Sequence, residues 1–401
     1  MGIFEDRESA VRSYCRTWPT LFDRARGSWL YDEDSRAYLD FFTGASALNY
    51  GHNNPAIKQA LLSYLADDRV IHSLDMYTVA KSEFLTAFDE LILQPRQLDY
   101  RVQFPGPAGT NAVEAALKLA RKVTHRTDVL SFSGAFHGMT LGSLAVTGSS
   151  FHRNGAGVPL PYAVAVPFGS DLADSDVDLD EIAAVIVETV QGEGGINVAP
   201  LKWLAELASQ CEAHGSLLII DDVQMGCGRT GPFFSFEATG IKPDIVCLSK
   251  SISGFGLPLA LTLVRSDLDI WKPGEHNGTF RGINPAFVTG TAALQAYWRD
   301  QDLEHGTRAK GERIAETLTA LAASAPGTWM QARGRGLAHG LAFGNGELAR
   351  KVSAAAFERG LLVETAGPDD EVIKLLPPLT ATDAEIDEGL AVLTDAVQTV
   401  C

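Results

Sequence analysis

Two apolar runs, Leu217–Ile220 and Ile245–Leu248, each lead into a charged residue: Asp221 after the first and, past Ser249, Lys250 after the second. Short apolar runs bounded by charge read as strands buried on both faces of a parallel sheet. Ligands of open α/β sheets bind outside the carboxyl ends of such strands, where both residues would fall. A carboxylate and an amine on successive strand ends suit pyridoxal 5′-phosphate (PLP). That cofactor needs a lysine to form its imine and an acid opposite its ring nitrogen, because the protonated ring draws in the electron pair left when a substrate Cα–H bond breaks. Taken singly, Asp221 reads better as a helix N-cap and Lys250 as a solvated strand end.

Their neighbours decide between these readings. Asp221 opens the block Asp221-Asp222-Val223-Gln224-Met225-Gly226-Cys227-Gly228-Arg229-Thr230-Gly231, and the second strand closes as Leu248-Ser249-Lys250. The block resembles the class III (ω-amino acid) aminotransferases of PLP fold type I, whose strand runs into Asp-Glu-Val-Gln-x-Gly-x-Gly-Arg-Thr-Gly and whose later strand ends in Ser-Lys. One departure is Asp222, where most of the family has Glu. The resemblance implies that Lys250 carries the cofactor, Asp221 holds N1–H, Gln224 hydrogen-bonds the ring oxygen and Val223 packs on one ring face. Gly226, Gly228 and Gly231 also spell G-x-G-x-x-G, a dinucleotide-binding signature that would make the chain a nicotinamide oxidoreductase. Context excludes it: five residues, two of them acidic, separate strand from first glycine, and Pro232-Phe233-Phe234 does not open a helix able to hold a pyrophosphate.

The rest of the chain must position these groups. At 401 residues and 46% apolar content it can bury a large core in two or three domains. A formal net charge of -17 argues against nucleic acid or anionic membranes as partners, since both are held through Lys and Arg. Cys15, Cys211, Cys227, Cys247 and Cys401 are scattered and never spaced C-x-x-C, which indicates neither disulfides nor structural zinc and fits a reducing cytoplasm. The histidines have no metal-ligand spacing, so no metal is expected. The amino terminus has no targeting pattern, and no apolar run approaches the roughly 20 residues of a membrane helix.

In chain order, Trp29–Asp34 and Ala37–Phe41 alternate around an acidic turn and predict a hairpin. Gly44–Pro55 is a Gly/Asn/Pro loop. Pro55–Leu65 and Val79–Leu93 have helical spacing. In Gly106–Val123 the apolar residues Val113, Ala116, Leu117, Ala120 and Val123 share one helical face, so a helix should begin near Asn111 with Gly109 and Thr110 at its amino end. Free N–H groups, the positive dipole end and a hydroxyl make a phosphate cradle there; an ordinary Gly-Thr cap is the plainer alternative. Val129–Phe132 and Ala184–Thr189 read as strands, Leu201–Ala213 as the helix completing a βαβ unit, and Ala292–Arg299 as the start of a long helix.

Further segments carry the same resemblance in the family's order. Ser133-Gly134-Ala135-Phe136-His137-Gly138 is similar to its S-x-x-[FYW]-H-G turn, so Phe136 would stack on the ring and His137 support the loop. Relatives acting on 4-aminobutyrate have an Arg one place later; here stands Met139, whose thioether cannot replace a bidentate cation. Glu188 and Gly194-Gly195 match E-P-x-x-x-x-G-G, with Thr189 in place of Pro. Glu188 is then expected near the cofactor, and Glu193 as the acid that gates a carboxylate-binding cation. Thr279, in Gly278-Thr279-Phe280-Arg281-Gly282-Ile283-Asn284-Pro285, matches the Thr that reaches the cofactor phosphate of the other subunit. Lys374 stands where relatives place the Arg that clamps the glutamate carboxylate.

The resemblance implies an α/β protein of fold type I, with a mostly parallel central sheet in a large domain and a small α+β domain built from both chain ends. The limits expected are 1–50 for the amino-terminal part of the small domain, 51–290 for the large domain and 291–401 for the rest. It implies a homodimer or higher homo-oligomer with active sites at the interface, acting on small amino and oxo acids. Within the family, the segments around Gly44, Gly109, Asp221, Lys250 and Thr279 are most similar to members that move an amino group from L-glutamate to L-aspartate 4-semialdehyde, giving L-2,4-diaminobutyrate for ectoine-type pathways. Exchange on ornithine, 4-aminobutyrate or acetylornithine, or diaminobutyrate supply to another secondary pathway, are the alternatives.

Overall fold

The apolar runs become the middle of a seven-stranded sheet. Its spatial order is Tyr100–Gln103, Leu261–Arg265, Ile245–Leu248, Leu217–Asp221, Ile182–Val187, Asp128–Phe132 and Ala163–Val166. Only Leu261–Arg265 runs antiparallel to its neighbours. The computed structural model describes residues 2–172, 175–324 and 327–401.

Alternation along these strands divides the core in two. Leu217, Ile219, Ile245 and Cys247 pack on one side with Val113, Leu117 and Ala120 of the helix Gly109–Thr124. Leu218, Ile220, Val246 and Leu248 face the other side, against Phe84 and Phe88 of Val79–Phe88, Leu204 and Leu207 of Leu201–His214, and Phe287 and Leu294 of Asn284–Tyr297. With helices on both faces, every residue of the three central strands is buried.

Three boundaries differ from the sequence reading in ways that bear on the site. The helix expected near Asn111 starts at Gly109, so Gly109 and Thr110 are its first helical residues. The strand expected at Ala184–Thr189 is Ile182–Val187, which puts Glu188 and Thr189 beyond its carboxyl end. The long helix expected from Ala292 is two helices, Asn284–Tyr297 and Asp302–Ser324. Pro285 sits in the first turn of the former, where its missing N–H costs nothing, so the apolar spacing after Ala292 is that helix's second half. Residue 290, the expected limit of the large domain, lies inside it.

The chain ends share a second core. The predicted hairpin forms as Trp29–Asp32 and Ala37–Asp40, flanked by Phe22–Arg26 and extended by Leu361–Leu362 in parallel with Ala37–Asp40. Another four-stranded sheet, antiparallel throughout, has the order Met330–Arg335, Ala338–Phe343, Val372–Leu375, Glu364–Ala366. Leu39 and Phe41 join Ile314, Leu318, Leu341, Leu375 and Val397 in one apolar cluster. Among the described residues, no helix is long and apolar enough to cross a membrane.

Candidate active site

Because Ile219 and Ile220 face opposite sides, Asp221 and Asp222 part as well. Asp221 Oδ2 lies 2.7 Å from His137 Nδ1, and Asp221 Oδ1 accepts from the Val223 N–H at 3.1 Å. Burial opposes charge on His137, but the hydrogen bond and charge of Asp221, helped by Glu188, win and raise its pKa above the ordinary histidine value. Nδ1 therefore carries the proton donated to the Asp221 carboxylate, and among the described residues Nε2 is buried without a partner. Glu188 Oε2 accepts from the Phe136 N–H at 3.0 Å; burial, with Asp221 adding and His137 opposing, pushes the carboxyl up to about 7. On the other side Asp222 Oδ2 accepts from the Ser235 N–H at 3.0 Å, Oδ1 has no donor, and burial pushes this carboxyl up to about 7.

Lys250 adopts a left-handed backbone, φ 53°, which costs about 1–2 kcal/mol in an L residue. Its neighbours hold the bend: Ser249 Oγ donates to the Leu259 carbonyl at 2.8 Å and Ser251 Oγ to the Ser46 carbonyl at 2.7 Å. Burial lowers the Lys250 pKa; Glu193 opposes this and Lys374 reinforces it. An amine that sheds its proton readily is suited to act as nucleophile and base.

At the cradle, Gly109 has no room for a side chain: a Cβ there would lie 2.9 Å from Val223 Cγ1. Gly138 takes φ 122° so that its Cα can pass Thr110, whose Oγ1 would lie 2.6 Å from a Cβ. Thr110 Oγ1 is hydrogen-bonded to Thr140 Oγ1 at 2.7 Å and to Ser143 Oγ at 3.0 Å. The amino end of a 16-residue helix thus meets Val223, and Val223 meets Asp221 through its N–H. Thr279 lies apart on the surface, its carbonyl accepting from His72 Nε2 at 2.7 Å. Phe136 is half-buried, with its ring edge-on to His152, and Met139 is exposed.

Lys374 is fully buried between two acids, 2.7 Å from Glu193 Oε1 and 3.0 Å from Glu364 Oε1. Burial disfavours the Lys374 charge, but both acids outweigh it and the pKa rises. Glu193 is held down at about 2: burial resists, and Lys374, Lys250 and Gln224 prevail. Gln224 donates through Nε2 to Glu193 Oε1 at 3.1 Å and to the Ala45 carbonyl at 3.3 Å, so the donor expected for the ring oxygen is engaged here. Glu364 is pushed up to about 7 by burial, with Lys374 opposing and Glu193 adding. Burial and the charges of Glu364 and Glu193 raise the Tyr14 phenol, which reaches this cluster from the amino-terminal segment.

Sequence reasoning missed Glu364, Tyr14 and the part played by Arg229. The Arg229 guanidinium is fully buried, and among the described residues no carboxylate is bonded to it. It donates to Ser46 Oγ at 2.8 Å, Asn49 Oδ1 at 2.6 Å and the carbonyls of Leu337 and Pro377. Those bonds hold a turn in which Thr43, Gly44, Ala45 and Ser46 all have positive φ, presenting the Ala45 carbonyl to Gln224. The glycine block follows the same logic: Gly228 and Gly231 take φ 88° and 111° to bring Arg229 into the core, and the next helical residues are only the single 3₁₀ turn Glu237–Thr239.

The donor set fits PLP. A buried lysine of lowered pKa lies within electrostatic reach of an acid held by His137, and a glycine-lined helix start packs on Val223 beside that acid. Residues 12–397 match the family model for aminotransferase class-III. The chain is 60% identical to a diaminobutyrate–2-oxoglutarate transaminase of Nocardia farcinica, with 100% of this chain and 94% of that protein covered. It is 53% identical to one of Halalkalibacterium halodurans (99% and 96% covered) and 52% identical to one of Vibrio cholerae (98% and 98%). Among solved structures, the ornithine aminotransferase of Toxoplasma gondii superposes with a TM-score of 0.88 at 24% identity, covering 100% of this chain and 93% of that one. A Bacillus anthracis aminotransferase gives 0.87 at 24%, covering 100% and 98%.

Proposed function

We propose a specific exchange for this chain, which belongs to the class III aminotransferases and has the type I fold of PLP-dependent enzymes. It is a diaminobutyrate–2-oxoglutarate transaminase, moving an amino group from L-glutamate to L-aspartate 4-semialdehyde. The bound cofactor supplies a carbonyl carbon that takes and returns the amino group and a ring that draws electrons from the substrate carbon. The chain's own residues do the rest. Lys250 anchors the cofactor and, once freed, moves a proton at the substrate carbon. Asp221, backed by His137, keeps the ring nitrogen protonated. The start of the helix at Gly109 and Thr110 takes the phosphate, with Phe136 and Val223 on the ring faces and Glu188 bracing the Phe136 loop. Lys374 takes a glutamate carboxylate when Glu193 lets go.

The observation that carries this reading is the Glu193–Lys374 contact of 2.7 Å, in which Lys374 is fully buried and Glu193 partly so, and both act electrostatically on Lys250. A cation masked by a releasable acid can serve a dicarboxylate donor and then a semialdehyde acceptor at one place. The names of the full-length relatives favour diaminobutyrate. An exposed Met139, in place of a carboxylate-binding Arg, disfavours 4-aminobutyrate. The test is a donor and acceptor panel with the pure enzyme: kcat/KM should be highest for diaminobutyrate with 2-oxoglutarate, and ornithine, acetylornithine or 4-aminobutyrate leading instead would reassign it.

We further propose a homodimer in which Thr279 reaches the partner's phosphate cradle. Support comes from the exposed Met76, Tyr77 and Phe280 beside it, at 59%, 100% and 60% relative exposure. Sedimentation of a monomer only would refute this. The division into 1–50, 51–290 and 291–401 remains our reading of the domains. All five cysteines are free, which supports a cytoplasmic location, and the sequence segments favour ectoine-type supply as the use of the product.

A further inference from the structure

We infer that Glu364 is a specificity-determining residue that receives the α-ammonium of diaminobutyrate and of aspartate 4-semialdehyde, an inference that rests on the exchange proposed above. Glu364 is 4% exposed and lies directly across the antiparallel ladder from Lys374. Cross-strand pairs of this kind share a face, so its carboxyl joins Lys374 and Glu193. One cation there serves two acids. Glu193 is the better matched, at 2.7 Å and hydrogen-bonded to both Lys374 and Gln224. Glu364 Oε1 stands 3.0 Å from Lys374 Nζ, and the Tyr14 phenol also bears on this carboxyl, yet among the described residues no well-aligned hydrogen bond reaches that buried oxygen. Such a group is costly and calls for a partner.

The two substrates of the exchange differ in what they can offer it. Glutamate reacts at its α-amine and brings carboxylates, which Lys374 can take and Glu364 repels. Diaminobutyrate reacts at its 4-amine, so its unreacted end carries an α-ammonium beside the α-carboxylate. That ammonium is the donor Glu364 lacks, and Lys374 can stay paired with Glu193 while it binds. Glu364, pushed up to about 7 by burial, can carry a proton when glutamate is present and lose it to solvent when the ammonium substrate binds, so that a carboxylate meets the cation. The Tyr14 phenol, lying beside Glu364, closes this end of the site.

The discriminating probe is 4-aminobutyrate, which is diaminobutyrate without the α-amino group. Donor kcat/KM with 2-oxoglutarate would be measured for both compounds in the wild type, Glu364→Gln and Glu364→Asp, each checked for bound cofactor by absorbance. Binding of both to the corresponding variants in a Lys250→Ala background would be followed by calorimetry. The preference for diaminobutyrate should fall on the order of tenfold or more in Glu364→Gln, in rate and in binding, and be partly kept in Glu364→Asp. An unchanged preference in Glu364→Gln, or in Glu364→Asp should the amide variant not fold, overturns the role of Glu364. A wild-type enzyme with no preference for diaminobutyrate overturns the proposed exchange and this inference with it.

Discussion

His137 Nδ1 sits 2.7 Å from Asp221 Oδ2 with both side chains buried, so the acid expected to serve the cofactor ring is itself held by a buried imidazole. Replacing His137 by Phe removes that donor while keeping a ring in the space. Amino transfer should slow about 10–100-fold, the range typical of residues that orient a ligand from behind. The folded-state pKa of His137 is raised. Its contribution to stability is therefore full below the unfolded value of about 6.5 and lost as pH rises through the folded value. The variant should lose more stability at mildly acidic than at alkaline pH. Transfer within twofold of the parent would show that Asp221 needs no such support.

Asp222→Asn should leave transfer nearly intact, because this side chain faces Ser235 and not the site. Its carboxyl is raised to about 7, above an unfolded value of about 3.9. A carboxyl raised in this way favours the fold below the unfolded pKa and loses that contribution as pH climbs through the folded one. The amide escapes this loss, so thermal scans should find the variant gaining on the parent between about pH 4 and 7. A rate collapse as deep as that of Asp221→Asn would mean that the two acids have been assigned the wrong way round.

Lys374→Ala strips a buried cation from the buried Glu364 and the partly exposed Glu193, and leaving a buried acid unpaired in this way costs up to about 3–5 kcal/mol. The glutamate half-reaction should suffer more than the diaminobutyrate half-reaction in single turnovers, since only the former needs the cation to change partners. Equal damage to both would remove Lys374 from carboxylate binding.

Arg229→Lys should fail despite keeping the charge. An ammonium cannot reach Ser46, Asn49 and the carbonyls of Leu337 and Pro377 together, and each buried acceptor left without a donor costs about 1–3 kcal/mol. The denaturant midpoint should drop, and the cofactor absorbance should shift as the turn at Thr43–Ser46 relaxes. A parental midpoint would deny that Arg229 holds the turn.

The central sheet could be read from sequence because its strands are short, wholly apolar runs ending in charge, and Asp221, Glu188 and Lys250 are proposed for the site because they stand at those ends. The motif already singles out Asp221 over Asp222, but the physical reason, the strand's facing, is supplied by Ile219 and Ile220 only once the helices are placed on each side. Glu364 left no mark in the sequence, since a two-sided acid cluster on Lys374 exists only through antiparallel register. Tyr14 comes from a four-residue helix with no periodicity to detect. The left-handed turn at Thr43–Ser46 contains a single glycine, and three non-glycine residues adopt positive φ there because Arg229 and neighbouring groups bind them.

The central claim is that Lys250 carries amino transfer between glutamate and aspartate 4-semialdehyde. The most direct measurement is product stoichiometry from pure enzyme given those two compounds, for the parent and for Lys250→Ala. The parent should release 2-oxoglutarate and diaminobutyrate in equal amounts, and the variant essentially neither. Glutamate consumed by the parent without diaminobutyrate, or a Lys250→Ala variant that makes both products at near the parent rate, would contradict the account.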